Sequence, residues 1–193
     1  MEKPAEILAV FAADQDLMEL LRIIRDLKLK DSWLCAGSVR NFLWNYLSGR
    51  PALDWQTDVD VIFFDPAYSA AATRQVEERL KRDFPSYQWE VRNQVLMHQH
   101  SPHTAPYQSS RDAMSKYPER CTAVGLRLLA NNQLEAFAPY GWQDILNFRI
   151  GPTPHFWADQ ERRKLYLTRL QQKNWQQKWP QLQLYFPEKA SPD

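Results

Sequence analysis

The chain has 193 residues, of which 44% are hydrophobic and 13% aromatic, including 8 Trp. That supports a core for one domain with an extension rather than two full domains. A formal net charge of +1 excludes a global field that gathers nucleic acid or settles on an acidic surface, and two cysteines, Cys35 and Cys121, each alone in apolar sequence, exclude a disulfide framework.

The opening, "MEKPAEILAVFAAD", holds an apolar run too short to span a bilayer, with flanks unlike a signal peptide. The expectation is a cytoplasmic protein with no membrane partner. In "DLMELLRIIRDL", Leu17, Leu20, Leu21, Ile24 and Leu27 recur at helical spacing. "SWLCAG" is a short apolar run ended by Gly37, which predicts a buried strand entering a turn. "SVRNFLWNYLSG" predicts a helix with Ser38 as N-cap, Phe42, Leu43 and Tyr46 as its apolar stripe, and Gly49 as its stop. "TDVDVIFFD" predicts a strand closed by Asp65 and Pro66. "SAAATRQVEERLKRDF" predicts an amphipathic helix, and "YQWEVRN" a further strand by its alternation. "MHQHSPHTAPYQSS" reads as loop and "SRDAMSKYPE" as a short helix. "TAVGLRLLA" and "LEAFAP", joined by "NNQ", predict a hairpin. A last helix is expected in "ADQERRKLYLTRLQQKNWQQKW", ahead of a loose tail rich in Pro, Lys and Ser. This order predicts an α+β or mixed α/β domain around one central sheet.

The chemistry is concentrated in "TDVDVIFF". Residues two apart on a strand share a face, so Asp58 and Asp60 aim together, roughly 7 Å apart along the chain. Like charges so close raise each other's pKa unless a cation neutralises them. Hard divalent ions prefer carboxylate and phosphate oxygen, which makes this a platform for Mg²⁺ (or Mn²⁺) holding a nucleoside triphosphate. The competing reading is a strand end with both carboxylates in water or capping a neighbouring turn.

Two companions favour the metal. In "CAGSVRN", a strand ending in Gly37-Ser38 at a helix start offers backbone N–H groups to an anion; Gly37 permits close approach, Ser38 adds a hydroxyl, and Arg40 can clamp a phosphate oxygen. In "QWEVR", Glu90 repeats the apolar–acid–apolar pattern and supplies a third carboxylate that can take a proton from an attacking hydroxyl. Asn93 and Gln94 follow as candidate contacts to base or sugar, with a structural hydrogen bond as the competing reading.

Taken in order, "AGSVRNFLW", "TDVDVIFFD", "WEVRNQVLMH", "YPERCTAVGLRL" and "YGWQDILNFRIGPTP", spanning residues 36–154, resemble the polymerase-beta-type nucleotidyltransferase superfamily, and within it bacterial nucleotidyltransferase family proteins. Two features depart from the wider pattern: residues 39–57 make a long interval between Ser38 and Asp58, and Glu90 stands where many members carry Asp. The resemblance implies an α+β fold, a central mixed sheet flanked by helices over residues 1–154, and a C-terminal helical extension over 155–193. It also implies a transferase that moves a nucleoside monophosphate from an NTP to an acceptor hydroxyl. Asp58, Asp60 and Glu90 would be the catalytic carboxylates and metal ligands, and Gly37, Ser38, Arg40 and Asn93 the nucleotide-binding residues. The acceptor stays open between a small molecule, a protein side chain and an RNA end.

Two other classes compete. A glycosyltransferase also uses Asp-x-Asp with a metal, but the Gly-Ser turn and Glu90 argue against it. A catalytically inactive nucleotide- or RNA-binding module of the same fold is opposed by the retained carboxylates. His98, His100 and His103 could bind Zn²⁺, though no cysteine joins them. The last helix interleaves Arg and Lys with Tyr166, Trp175 and Trp179, a pattern seen in single-strand binders; packing is the preferred reading, so no strong nucleic-acid signal is drawn from it.

Overall fold

The computed structural model describes residues 4–187. The chain begins with two helices, α1 (Pro4–Ala13) and α2 (Gln15–Asp26), separated by Asp14, whose side chain accepts from Leu17 N–H at 2.8 Å and caps the second. Then follow β1 (Trp33–Cys35), α3 (Gly37–Leu47), β2 (Asp58–Phe63), α4 (Ala70–Asp83) and β3 (Gln88–Asn93). A 3-10 helix over Gln94–His100 leads to α5 (Ser110–Ser115), the hairpin β4 (Gly125–Leu128) and β5 (Leu134–Phe137), α6 (Gln143–Leu146) and β6 (Arg149–Ile150). The chain finishes with α7 (Pro154–Ala158), α8 (Gln160–Lys173), a 3-10 turn over Trp175–Gln177 and β7 (Gln183–Leu184).

Five strands form one mixed sheet in the order β3-β2-β1-β4-β5. β1 is antiparallel to both β2 and β4, and β2 is parallel to β3 through the α4 crossover. The α+β architecture expected from the sequence is therefore present. The alternation of β2 divides its side chains. Val59, Val61 and Phe63 turn to the helical face and join Leu17, Leu20 and Leu21 of α2, Phe42, Leu43 and Trp44 of α3, and Val76 and Leu80 of α4 in the main core. Ile62 turns the other way, into a smaller cluster with Trp33, Cys35 and Met114. Both cysteines are free and buried. The outer edge of β3 is protected: Glu77 of α4 accepts from Val91 N–H at 2.9 Å, which closes one of the groups an edge strand leaves open.

Several elements were not foreseen. The loop around His98 is partly a 3-10 helix, seeded by Asn93, whose side chain accepts from Val95 N–H. The long last helix is interrupted twice. Asp159 ends α7 and caps α8, and Asn174 takes a left-handed φ of 41° that ends α8 and turns the chain back. Beyond the turn, Trp179 packs its ring 5.0 Å from that of Trp44, and Trp179 and Leu182 are buried in the main core. Tyr185 lies on Gly151, where a Cβ would come within 2.1 Å of its ring. The loose tail expected from the sequence falls mainly on residues 188–193, outside the described residues. Among the described residues no helix is long and apolar enough to cross a membrane.

Candidate active site

The face of the sheet opposite the helices is only partly covered, and a cleft of about 720 Å³ opens over it. Its floor includes Asp58, Asp60 and Glu90, and Gly37, Arg40 and Asn41 of α3 also line it. Asp60 pairs with Glu90 across the parallel β2–β3 ladder, so the two carboxylates stand side by side on adjacent strands. Asp58, two residues earlier, shares their face. It is exposed, Asp60 is partly buried, and the Glu90 side chain is 46% exposed. Burial, then the Glu90 charge, then the Asp58 charge push the Asp60 carboxyl up from 3.8 to about 6; Arg40 and a hydrogen bond from the Gly37 backbone pull the other way. Among the described residues Glu90 has a cation within ion-pair distance, Arg92 at 3.7 Å, while Arg40 acts on Asp60 at longer range. The side chains share a face without closing on one point: among the described residues no three His, Cys, Asp or Glu groups are gathered closely enough to hold an ion as they stand. The donor set nonetheless suits Mg²⁺, because it offers hard oxygens whose mutual repulsion a cation would relieve.

Around this floor the predicted phosphate residues take different roles. A Cβ built on Gly37 would lie 3.6 Å from Asp60 Oδ2 and 3.8 Å from Arg40 Nη2, so a carboxylate and a guanidinium flank the glycine. Ser38 does not cap α3. The N-cap is Ala36, held at φ 55° and ψ −122°, a conformation that a residue with a Cβ rarely adopts, and this strained turn lies at the cleft wall. The Ser38 hydroxyl instead donates to the Asp58 carbonyl at 2.8 Å and accepts from Asp60 N–H at 3.0 Å. It fastens α3 to β2 between the two aspartates, and its proton is already committed there. Arg40 is 3% exposed. Its Nη1 donates to Thr122 Oγ1 at 2.5 Å, and Nε and Nη2 donate to Asn41 Oδ1. All of these partners are neutral, so a buried cation faces the cleft without a bonded counter-charge.

Asn93 is not brought to the cleft. It pairs with Phe63 on the helical side of the ladder, donates to the carbonyls of Asp65 and Tyr68, and accepts from Asp65 N–H. Its amide is a staple for the loop after β2, and Gln94 is the neighbour that lines the cleft. The three histidines also separate. His98 packs on Tyr107, His100 lines the cleft, and His103 Nδ1 lies 3.0 Å from Asp159 Oδ2. The basic, aromatic C-terminal segment divides as well. Tyr166 and Trp179 are buried, and Arg162 donates to the carbonyls of His155, Pro102 and His103. Arg169, Lys173 and Trp175 form a cleft wall that the sequence reading assigned to packing. The interleaved cations and aromatics were the signal that could have marked them.

Comparison with known proteins bears on the family and the fold. A family model described as nucleotidyltransferase matches residues 22–184. An NMR structure described as revealing a CCA-adding enzyme head domain is 59% identical, with a TM-score of 0.90 over 97% of this chain and 98% of that one. Two structures of tRNA-processing enzymes align at 14% identity with TM-scores of 0.43 and 0.48, covering 69% and 86% of this chain but 35% and 42% of theirs, a likeness too slight to carry weight. No curated protein matches the chain. By the family match and by its likeness to the head domain, the chain belongs to the nucleotidyltransferase family.

Proposed function

We propose that the chain transfers a nucleoside monophosphate from an NTP to an acceptor hydroxyl in a metal-dependent reaction centred on Asp58, Asp60 and Glu90. The observation that carries this is the register: Asp60 opposite Glu90 on adjacent parallel strands, with Asp58 on the same face and the start of α3 beside them. Asp58, Asp60 and Glu90 would hold Mg²⁺ or Mn²⁺, which when bound supplies charge neutralisation for the triphosphate.

The chain's own residues do the rest. Gly37 leaves room for a phosphate to approach the backbone at the positive end of α3. Arg40, buried and without a bonded counter-charge, takes phosphate oxygens. Ser38 is a positioning residue that fixes the spacing of α3 and β2. The acceptor oxygen bonds to the α-phosphorus while the bond from that phosphorus to the pyrophosphate oxygen breaks. Glu90, the more solvent-open partner of Asp60, receives the hydroxyl proton. Catalysis on this account is alignment plus charge stabilisation. Among acceptors, the likeness to a CCA-adding enzyme head domain puts an RNA 3′-hydroxyl ahead of a small molecule or a protein side chain.

The test is pyrophosphate release from each NTP in Mg²⁺ with RNA 3′ ends as acceptor, for wild type and for the Asp58→Asn/Asp60→Asn double variant. Release by wild type alone supports the reading. A wild type that neither binds NTP in Mg²⁺ nor releases pyrophosphate with any acceptor class would end it.

A further inference from the structure

Part of the cleft lining belongs to the C-terminal segment. Leu165, Arg169, Gln172 and Lys173 recur at the spacing of one helix face, and all four line the cleft. Behind Arg169 stands Glu119, in the segment between α5 and β4, with a relative exposure of 0%. One of its oxygens accepts from Arg169 Nε at 2.7 Å and the other has no partner. A buried carboxylate is costly to keep unless something is gained from its charge. The pair uses Nε, which leaves the two terminal nitrogens of Arg169 without a protein hydrogen-bond partner among the described residues. The arginine side chain is 33% exposed at the cleft. After the left-handed turn at Asn174, the Trp175 ring comes beside both arginines: its centroid is 4.5 Å from the Arg40 guanidinium carbon and 5.9 Å from that of Arg169. Two cations are thus held around one indole in the cleft that the carboxylates also line. Glu119 acts on Arg40 as well, at longer range.

We infer that Arg169 is a second anion-binding residue of the cleft, gripping the triphosphate together with Arg40, and that Glu119 is the positioning residue that aims it. This rests on the nucleotidyl-transfer reading above. The guanidinium fork matches phosphate oxygens two at a time, and a polyanion lying between Arg40 and Arg169 relieves the repulsion that the unliganded arrangement carries. The Nε–carboxylate bond fixes the plane of the fork, and Trp175 keeps the two guanidinium groups on one wall.

The experiment is calorimetric titration with two probes, inorganic tripolyphosphate without metal and a non-hydrolysable NTP with Mg²⁺. The proteins are wild type, Arg169→Gln, Arg169→Lys and Glu119→Gln, each also melted thermally. Arg169→Gln is expected to weaken both probes by about tenfold, the loss of a charge-assisted hydrogen bond. Arg169→Lys should recover only part of this, because a point charge lacks the fork. Glu119→Gln keeps an acceptor for Nε and should weaken both probes by about threefold. A bond that merely ties α8 to the core would lower melting temperatures and leave both affinities unchanged; that result overturns the inference. If wild type binds the nucleotide and Arg169→Gln binds it equally well, the inference fails and nucleotidyl transfer stands. If wild type binds tripolyphosphate through Arg169 and no NTP, the anion site stands and the nucleotidyl-transfer reading falls.

Discussion

The two faces of β2 use one six-residue segment for opposite purposes. Val59, Val61 and Phe63 sit in the main core beneath the helices. Asp58 and Asp60, interleaved with them, stand on the floor of the cleft. The helical face stabilises the fold by removing apolar surface from water. The cleft face opposes folding, since Asp60 is pushed to about 6 by burial and by the neighbouring carboxylates. A strand that carries such a cost in its middle must be fastened elsewhere. Ser38 does this with two hydrogen bonds to the strand backbone, and Asp60 to Glu90 remains in register while the charges repel.

The largest effect should come from breaking the helical face. Phe63→Ala removes a fully buried ring and should lose about 3–5 kcal/mol in denaturant unfolding. Next is the fastener. Ser38→Ala leaves Asp60 N–H and the Asp58 carbonyl without their partner and should lose about 1–3 kcal/mol. Because the hydroxyl proton is already held by β2, NTP affinity should fall much less than it does for Arg40→Gln. Equal losses of affinity in the two variants would return Ser38 to the phosphate.

The cleft face should respond with the opposite sign. Asp60→Asn removes the repelling charge and should gain about 1–2 kcal/mol at pH 7, allowing for solvent screening of a partly buried group. The sign follows from linkage. A carboxyl raised from 3.8 to about 6 favours the folded state when protonated. Its contribution is fully present below about 3.8 and is lost as pH rises through about 6. Wild type and Asp60→Asn should therefore converge in stability toward pH 4 and separate above pH 6. Metal-dependent nucleotide binding should follow the reverse course, weakening as pH falls through about 6. Stability profiles that stay parallel from pH 4 to 8 would remove Asp60 as the source of the strain.

Much of this contrast was legible in the sequence, because a strand's period of two writes both faces into consecutive letters. Asp58, Asp60 and Glu90 were placed on their strands that way, as were the strands of the β4–β5 hairpin. The pairing of β2 with β3 was not legible: nothing local to "QWEVR" states that Glu90 lies opposite Asp60, which depends on how α4 returns the chain. Ser38 illustrates a different limit. A serine at a helix start reads as a cap, but the strained turn at Ala36 moves the cap two residues earlier, and the Ser38 hydroxyl bonds to β2. Asn93 was misplaced relative to the cleft because odd and even residues of β3 face opposite ways, and it falls on the helical side with Val91. The place of Arg169, Lys173 and Trp175 in the cleft was hidden by distance along the chain: Arg169 bonds to Glu119 50 residues away, and Trp175 follows the left-handed turn at Asn174.

The central claim, that the aspartates exist to hold a cation with a nucleotide, is tested most directly by thermal melts of wild type and the Asp58→Asn/Asp60→Asn variant, each in EDTA and in saturating Mg²⁺ with a non-hydrolysable NTP. In EDTA the variant should be at least as stable as wild type. With ligand at a hundred times its dissociation constant, wild type should gain about 2.7 kcal/mol and the variant little or nothing. A variant that loses about 1–3 kcal/mol in EDTA, beside a wild type that gains nothing from metal and nucleotide, would show the carboxylates to be structural acceptors and contradict the account.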